Sequence, residues 1–229
     1  MLDTNRNKAS LQQASHDAIG ISPKISSGDG AGSDPSFLGK PIASRSAPRS
    51  STVNFDASIR DAEDSDAAGL AEIVAAIMGE FPGCVFDLDA DFPELKNPKS
   101  SFTGDGGRFW VVEGRPLSAS GSKAKMASGA HDIIGCFGFL PAEDPNGIEL
   151  QRVYLRPELR GTGLATRMFK IVQAVAHQRS ARFIELWTDS RFKAAQRFYE
   201  KLGFRRLPNE RLLNDLSRSS EYHYLLPLR

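Results

Sequence analysis

Little in this chain points to a metal, a membrane or a polyanion. Its 229 residues include only two cysteines and four histidines. Cys84 and Cys136 are too few for a disulfide framework and are spaced neither as zinc ligands nor as a redox pair, which leaves them as small core-filling thiols. Basic residues number 29 and acidic residues 28, a net charge of +1, so no overall field favours nucleic acid or an anionic bilayer. No apolar run approaches the ~20 residues of a membrane-spanning helix, and the first residues lack the apolar core of a secretory signal. The expectation is a reducing, cytoplasmic setting with no metal, no nucleic acid and no membrane partner. What is present is the balance of a soluble globular protein, 40% hydrophobic and 25% charged.

Residues 1–52 are rich in Ser, Gly, Ala, Asn and Pro without sustained periodicity, and are expected to be a disordered tail. Its mixture of Asp with Arg argues against an organelle-targeting peptide. Order is expected over 54–229. Phe55 opens a strand, and Leu70, Ile73, Val74, Ile77 and Met78 recur at helical spacing before Pro82-Gly83. An acidic, irregular stretch follows (Asp87, Asp89, Asp91, Glu94). Arg108–Gly114 and Ile133–Pro141 read as strands separated by a flexible insertion at about 115–131, longer than an ordinary hairpin loop. A helix over 163–178, a strand over 182–188 and a helix over 190–202 come next. Gly203 stands where a left-handed cap belongs. Phe204–Leu207 reads as a short strand, and EYHYLLPLR alternates and should close the sheet. The pattern is that of one α/β domain with a mixed sheet.

The strand from Ile148 changes phase. Ile148 and Leu150 share one parity, Val153 and Leu155 the other, so all four reach one face only if an extra residue is inserted near Gln151-Arg152. A strand buried on both faces is the alternative. Pro157 then breaks the run, and Arg160-Gly161-Thr162-Gly163-Leu164-Ala165 leads into a helix. A glycine turn feeding a helix N-terminus is suited to holding a phosphate, because free N–H groups converge and no side chain bars the anion. Leu164-Ala165 replaces the Lys-Ser or Lys-Thr of a kinase-type loop. A dinucleotide fingerprint is also disfavoured, since Thr166 stands at its third glycine and Pro157–Leu159 separate strand from glycines.

The hexapeptide 160–165 resembles the pyrophosphate-binding signature of the GCN5-related N-acetyltransferases: Arg or Gln, two residues, Gly, one residue, then Gly or Ala. The flank Glu149-Leu150-Gln151-Arg152-Val153-Tyr154-Leu155-Arg156-Pro157 is similar to the strand preceding that loop in the family. Leu186-Trp187-Thr188 and Ala195–Phe204 are similar to its later elements, and Gly106-Gly107-Arg108-Phe109-Trp110-Val111 to a strand of its small-amine members. The resemblance implies a mostly antiparallel mixed sheet with a central parallel strand pair, flanked by helices. It also implies acetyl-CoA as co-substrate, a small-molecule primary amine as acceptor, and direct attack without a covalent enzyme intermediate. A protein N-terminus or lysine as acceptor, or a silent acyl-CoA-binding module, are the alternatives. A homodimer is compatible with the chain.

On that resemblance, the backbone of Arg160, Gly161, Thr162, Gly163, Leu164, Ala165 and Thr166 would grip the pyrophosphate. Val153, Tyr154 and Leu155 would lie along the pantetheine arm, and a backbone N–H there would face the thioester oxygen. Tyr199 matches the tyrosine that protonates the departing thiolate, and Glu149 is the expected base. Glu185 and His223 are competitors for that role. Asp189 replaces an Asn often found after this strand, so Ser190 is expected to make the cofactor contact instead. The acids from Asp87 to Glu94 are expected to wall the acceptor pocket.

Overall fold

The computed structural model describes residues 55–116 and 132–229. The expected tail at 1–52 lies outside the described residues, as do residues 117–131 of the expected insertion. Among the described residues, seven strands form one sheet: β1 (Phe55–Asp61), β2 (Arg108–Pro116), β3 (Asp132–Pro141), β4 (Gly147–Leu155), β5 (Phe183–Asp189), β6 (Arg205–Leu212) and β7 (Ser220–Pro227). Their spatial order is β1-β2-β3-β4-β5-β7-β6, antiparallel throughout except for the central β4–β5 pair. Helices α1 (Ala67–Met78), α2 (Pro98–Gly104), α3 (Leu164–Gln178) and α4 (Lys193–Lys201) flank it. The mixed sheet with a parallel centre is therefore the one expected.

Two apolar clusters fill the space on either side of the sheet. Leu70, Ile73, Val74 and Ile77 of α1 pack with Phe102 of α2 against Phe109, Val111 and Cys136. Met168, Phe169 and Val172 of α3 pack against Trp110, Val112, Phe137, Ile184 and Leu186. Along β2 the residues of the two clusters alternate, which is the period of two that a doubly covered strand requires.

Two boundaries differ from expectation. Helix α4 starts at Lys193 and not at Ser190, because Asp189 turns back on Arg191, whose N–H it accepts at 2.7 Å. The buried Gln196 amide of α4 donates to the Asp189 and Ser190 carbonyls at 3.0 and 3.1 Å. Strand β6 runs to Leu212, past Pro208, because it is the sheet edge and its register shifts between Arg206 and Glu210. Proline is tolerated on such an edge or bulge, where its missing N–H breaks no ladder. The last strand, β7, consequently lies between β5 and β6 and is not the border of the sheet.

Candidate active site

Strand β4 organises the site. Against β3 its register jumps so that Arg152 and Val153 together oppose Phe137, and Arg152 takes a φ of 54°. This is the inserted residue that the phase change called for. It brings Ile148, Leu150, Val153 and Leu155 into one apolar cluster while Tyr154 joins the other. A left-handed backbone at a non-glycine residue costs roughly 1–2 kcal/mol, and Arg152 has partners to offset it. Its Nε donates to Glu94 at 2.6 Å and its Nη2 to the Asp91 carbonyl at 3.0 Å, with the guanidinium 4.6 Å from the Phe92 ring. The Cys136 thiol donates to the Arg152 carbonyl at 3.5 Å from the neighbouring strand.

On its other edge β4 pairs with β5 only through Gly147–Phe183, Ile148–Ile184 and Glu149–Glu185. Beyond Glu149 the strands part, so the β5-facing edge of Leu150–Leu155 has no strand partner. A cleft of about 420 Å³ occupies this fork, and Glu149, Tyr154, Trp187 and Tyr199 are among the residues lining it. Tyr199 reaches it from α4 and packs against Phe204 and Tyr224. Burial, with the Tyr154 hydroxyl nearby, pushes the Tyr199 phenol up, so it stays a proton donor. Burial also pushes the Glu149 carboxyl up; the Arg211 guanidinium and the Gln151 side chain oppose this, and the carboxylates of Glu185 and Glu221 add to it. The cleft thus joins a carboxyl that holds a proton more readily than usual to a phenol that keeps its own.

The two competitors for the base are bonded to each other. His223 Nε2 lies 3.0 Å from Glu185 Oε2, and its ring stacks on Trp187 with centroids 4.4 Å apart and planes at 4°. Of the expected acidic wall, only Asp91 lines the cleft. Glu94 is neutralised by Arg152, Asp89 pairs with Lys96, and Asp87 accepts the N–H groups of Asp89 and Ala90, both at 3.0 Å. Burial and then the carboxylates of Asp215 and Asp87 push Asp91 up. Spanning the cleft's lining, the Ser217 hydroxyl accepts from Val85 N–H at 2.8 Å and donates to Val85 C=O at 3.2 Å.

At the far end of β4 lies the glycine turn. Gly161 and Gly163 adopt φ of 80° and 88°, and a Cβ on either would meet nothing within 4 Å. Gly163 caps α3 without a side-chain hydrogen bond, and the first helical bond runs from Arg167 N–H to Gly163 C=O at 3.1 Å. The N–H groups of Leu164, Ala165 and Thr166 therefore lack helical acceptors and face outward with the dipole behind them. These residues fit a phosphate. Arg160 is held beside them, its guanidinium paired to Glu80 at 2.7 and 2.8 Å and its Nε donating to Leu155 C=O at 3.2 Å. The Thr162 hydroxyl donates to Leu159 C=O at 2.7 Å and its backbone N–H to the same carbonyl at 3.4 Å, so both hold the turn in shape. Ser190 spends its N–H on Ser220 C=O at 2.7 Å, and the carboxylate of Asp189 is held by Arg191.

The Acetyltransferase (GNAT) family model matches residues 86–204, just over half the chain. The chain belongs to this family. Among GNAT proteins, it is 36% identical over 77 residues to an uncharacterised N-acetyltransferase of Mycobacterium tuberculosis, a match covering 33% of this chain and 49% of that one. The chain spans between a quarter and about half the length of the curated relatives it matches. A GNAT acetyltransferase structure from Staphylococcus aureus Mu50 aligns with a TM-score of 0.59 at 21% identity, covering 76% of this chain and 99% of that one. An acetyltransferase of Salmonella typhimurium, solved with acetyl-CoA, aligns at 0.54 and 17% identity, covering 76% and 94%. The matched region of this GNAT chain contains Glu149, the glycine turn and Tyr199.

Several cleft residues were missed in the sequence. Trp187 had a signal, since it lies two positions from Glu185 on an alternating strand and so shares its face. Arg211 and Ser217 had none; only the β6–β7 pairing and a contact 132 residues away bring them in.

Proposed function

We propose that this chain is an acetyl-CoA-dependent N-acetyltransferase acting on a small primary amine in the cytoplasm. The observation that carries the proposal is the fork of β4 and β5: Glu149 at its apex, Tyr199 on its wall and a phosphate-shaped turn at its far end. Acetyl-CoA, bound by the Salmonella typhimurium protein, would lay its pyrophosphate on Gly161–Thr166 and its pantetheine along the unpaired edge from Leu155 toward Leu150, past Val153. The amine attacks the thioester carbonyl directly, and its surplus proton passes to Glu149. As the carbon–sulfur bond breaks, the Tyr199 hydroxyl protonates the leaving thiolate.

The hydrogen bonds between Ser217 and Val85 favour a small molecule over a protein chain, because they tie two loops together across the lining of a cleft of about 420 Å³. Asp91 and Asp215 on the same lining favour an acceptor that arrives as a cation. The test is acetyl-CoA consumption over amino acids, polyamines, aminoglycosides and peptides. Turnover with a small amine is expected. Turnover with peptides alone would move the acceptor to protein, and tight coenzyme A binding without any turnover would make the chain a silent acyl-CoA-binding module.

A further inference from the structure

We infer that Arg152 is a positioning residue for the acceptor: its guanidinium fastens the loop that carries Asp91 to the bulge of β4, and so sets Asp91 relative to Glu149 in the cleft. The inference rests on the proposed function, with Asp91 meeting the cationic acceptor. The bulge holds one residue in the left-handed region, and Arg152 supplies it with a φ of 54°. Glycine would take that φ at no steric cost, so the backbone alone does not call for an arginine. Strain of this kind persists where the surroundings hold the residue in place, and it gathers at functional sites.

What holds Arg152 is one short stretch, Asp91 to Glu94, which lies 58 to 61 residues earlier in the chain. Nε donates to Glu94 at 2.6 Å and Nη2 to the Asp91 carbonyl at 3.0 Å, while the guanidinium carbon stands 4.6 Å from the centre of the Phe92 ring. The ion pair is largely shielded from water, with side chains 25% and 21% exposed, and Phe92 is buried. A planar fork bonded to two acceptors, with its face on a ring, is fixed in orientation as well as in place.

Asp91 is held at its backbone and open at its side chain. Its N–H goes to Asp87 C=O at 2.9 Å and its C=O accepts from Arg152. Its carboxylate makes no hydrogen bond to another described residue and lines the cleft together with Glu149. A shift of this loop would therefore carry the Asp91 carboxylate with it and leave Glu149, on β4, where it is. The bulge and the wall that meets the amine are thus built on a single residue, the first by its backbone and the second by its side chain.

The test compares Arg152→Gly, which keeps the φ and deletes the guanidinium, with Arg152→Gly/Glu94→Gln, which also removes the stranded carboxylate. With the amine turned over fastest in the acetyl-CoA consumption panel, Arg152→Gly is expected to raise the amine KM at least about tenfold. Both kcat and the KM for acetyl-CoA should stay within about threefold, because glycine preserves the bulge. The double variant should melt higher than Arg152→Gly, since no shielded carboxylate is left unpaired, yet keep the raised amine KM. Asp91→Asn should raise the amine KM in the wild type but by less than about twofold in Arg152→Gly, because the two changes disable one contact. An amine KM that ignores Arg152→Gly, that recovers with the melting temperature in the double variant, or that multiplies fully with Asp91→Asn overturns the inference and leaves the proposed function standing. A wild type that turns over no amine overturns the proposed function, and this inference with it.

Discussion

On the proposed function, the two ends of β4 would hold ligand groups by opposite means. At the Leu155 end the chain runs into Gly161 and Gly163, and the proposed phosphate-binding surface is backbone alone, built within about ten consecutive residues. At the Glu149 end the surface is side chains, drawn from β4, β5, β6, β7 and α4. The first end is defined by what is absent, namely Cβ atoms. The second is defined by which charge stands next to which. A backbone site is lost when a side chain intrudes, and a side-chain site is lost when one partner is deleted, so single substitutions separate them.

The largest effect is expected from Tyr199→Phe, which removes the proton donor and nothing else. Turnover should fall by about 10²–10⁴ while coenzyme A affinity measured by calorimetry is retained. Unchanged turnover would take Tyr199 out of the mechanism. Gly163→Val strikes the other end. It forces a β-branched residue to a φ of 88° and fills the space an anion needs. Coenzyme A should bind at least about 100-fold more weakly, given that the strain and the lost contacts together exceed 2.7 kcal/mol. A variant that still bound normally would end the reading of this turn as a phosphate grip.

Glu149→Gln is expected to cost about 10²-fold in turnover and, unlike Gly163→Val, to leave affinity alone. Its effect on stability has the opposite sign. The folded carboxyl is pushed up, so the native state binds the proton more tightly than the unfolded chain does. Stability linked to this group is present below the unfolded carboxylate value and lost as pH rises through the folded one. At neutral pH the ionised Glu149 is a burden, and Glu149→Gln should melt a few degrees higher than wild type. The same shift places the acid limb of kcat/KM above the ordinary carboxylate range, and a limb near pH 4 would contradict it. The smallest effect belongs to Glu80→Gln, which frees the half-exposed Arg160. Such a pair is worth at most about 1 kcal/mol, so coenzyme A affinity should weaken by less than about fivefold.

The same contrast governs what the sequence made legible. The glycine turn, the buried face of α1 and the inserted residue of β4 are local patterns, and each is visible as spacing or parity along the chain. Nothing local says that Arg152 is the residue with positive φ. Arginine has no preference for that region, and its partner Glu94 lies 58 residues away. The same long-range pairing removed Glu94 from the acidic wall. Pro208 masked the length of β6 because a proline reads as a strand end unless the strand is known to be an edge. Gln196 was unreadable for a related reason: a polar residue belongs on a buried helix face only when carbonyls await it there, and those come from the β5–α4 turn.

Cys136, under the bulge, bears on the protein's chemical durability. Its side chain is fully buried, and burial pushes the thiol up to about 12. Burial therefore disfavours the thiolate, the form that attacks disulfides and alkylating agents. The proposed reaction would release a free thiol at every turnover, and burial keeps Cys136 out of mixed disulfides with it. Alkylation of Cys136 should proceed only as fast as β3 and β4 separate, which makes that one sulfur a built-in clock for the opening of the sheet at its bulge.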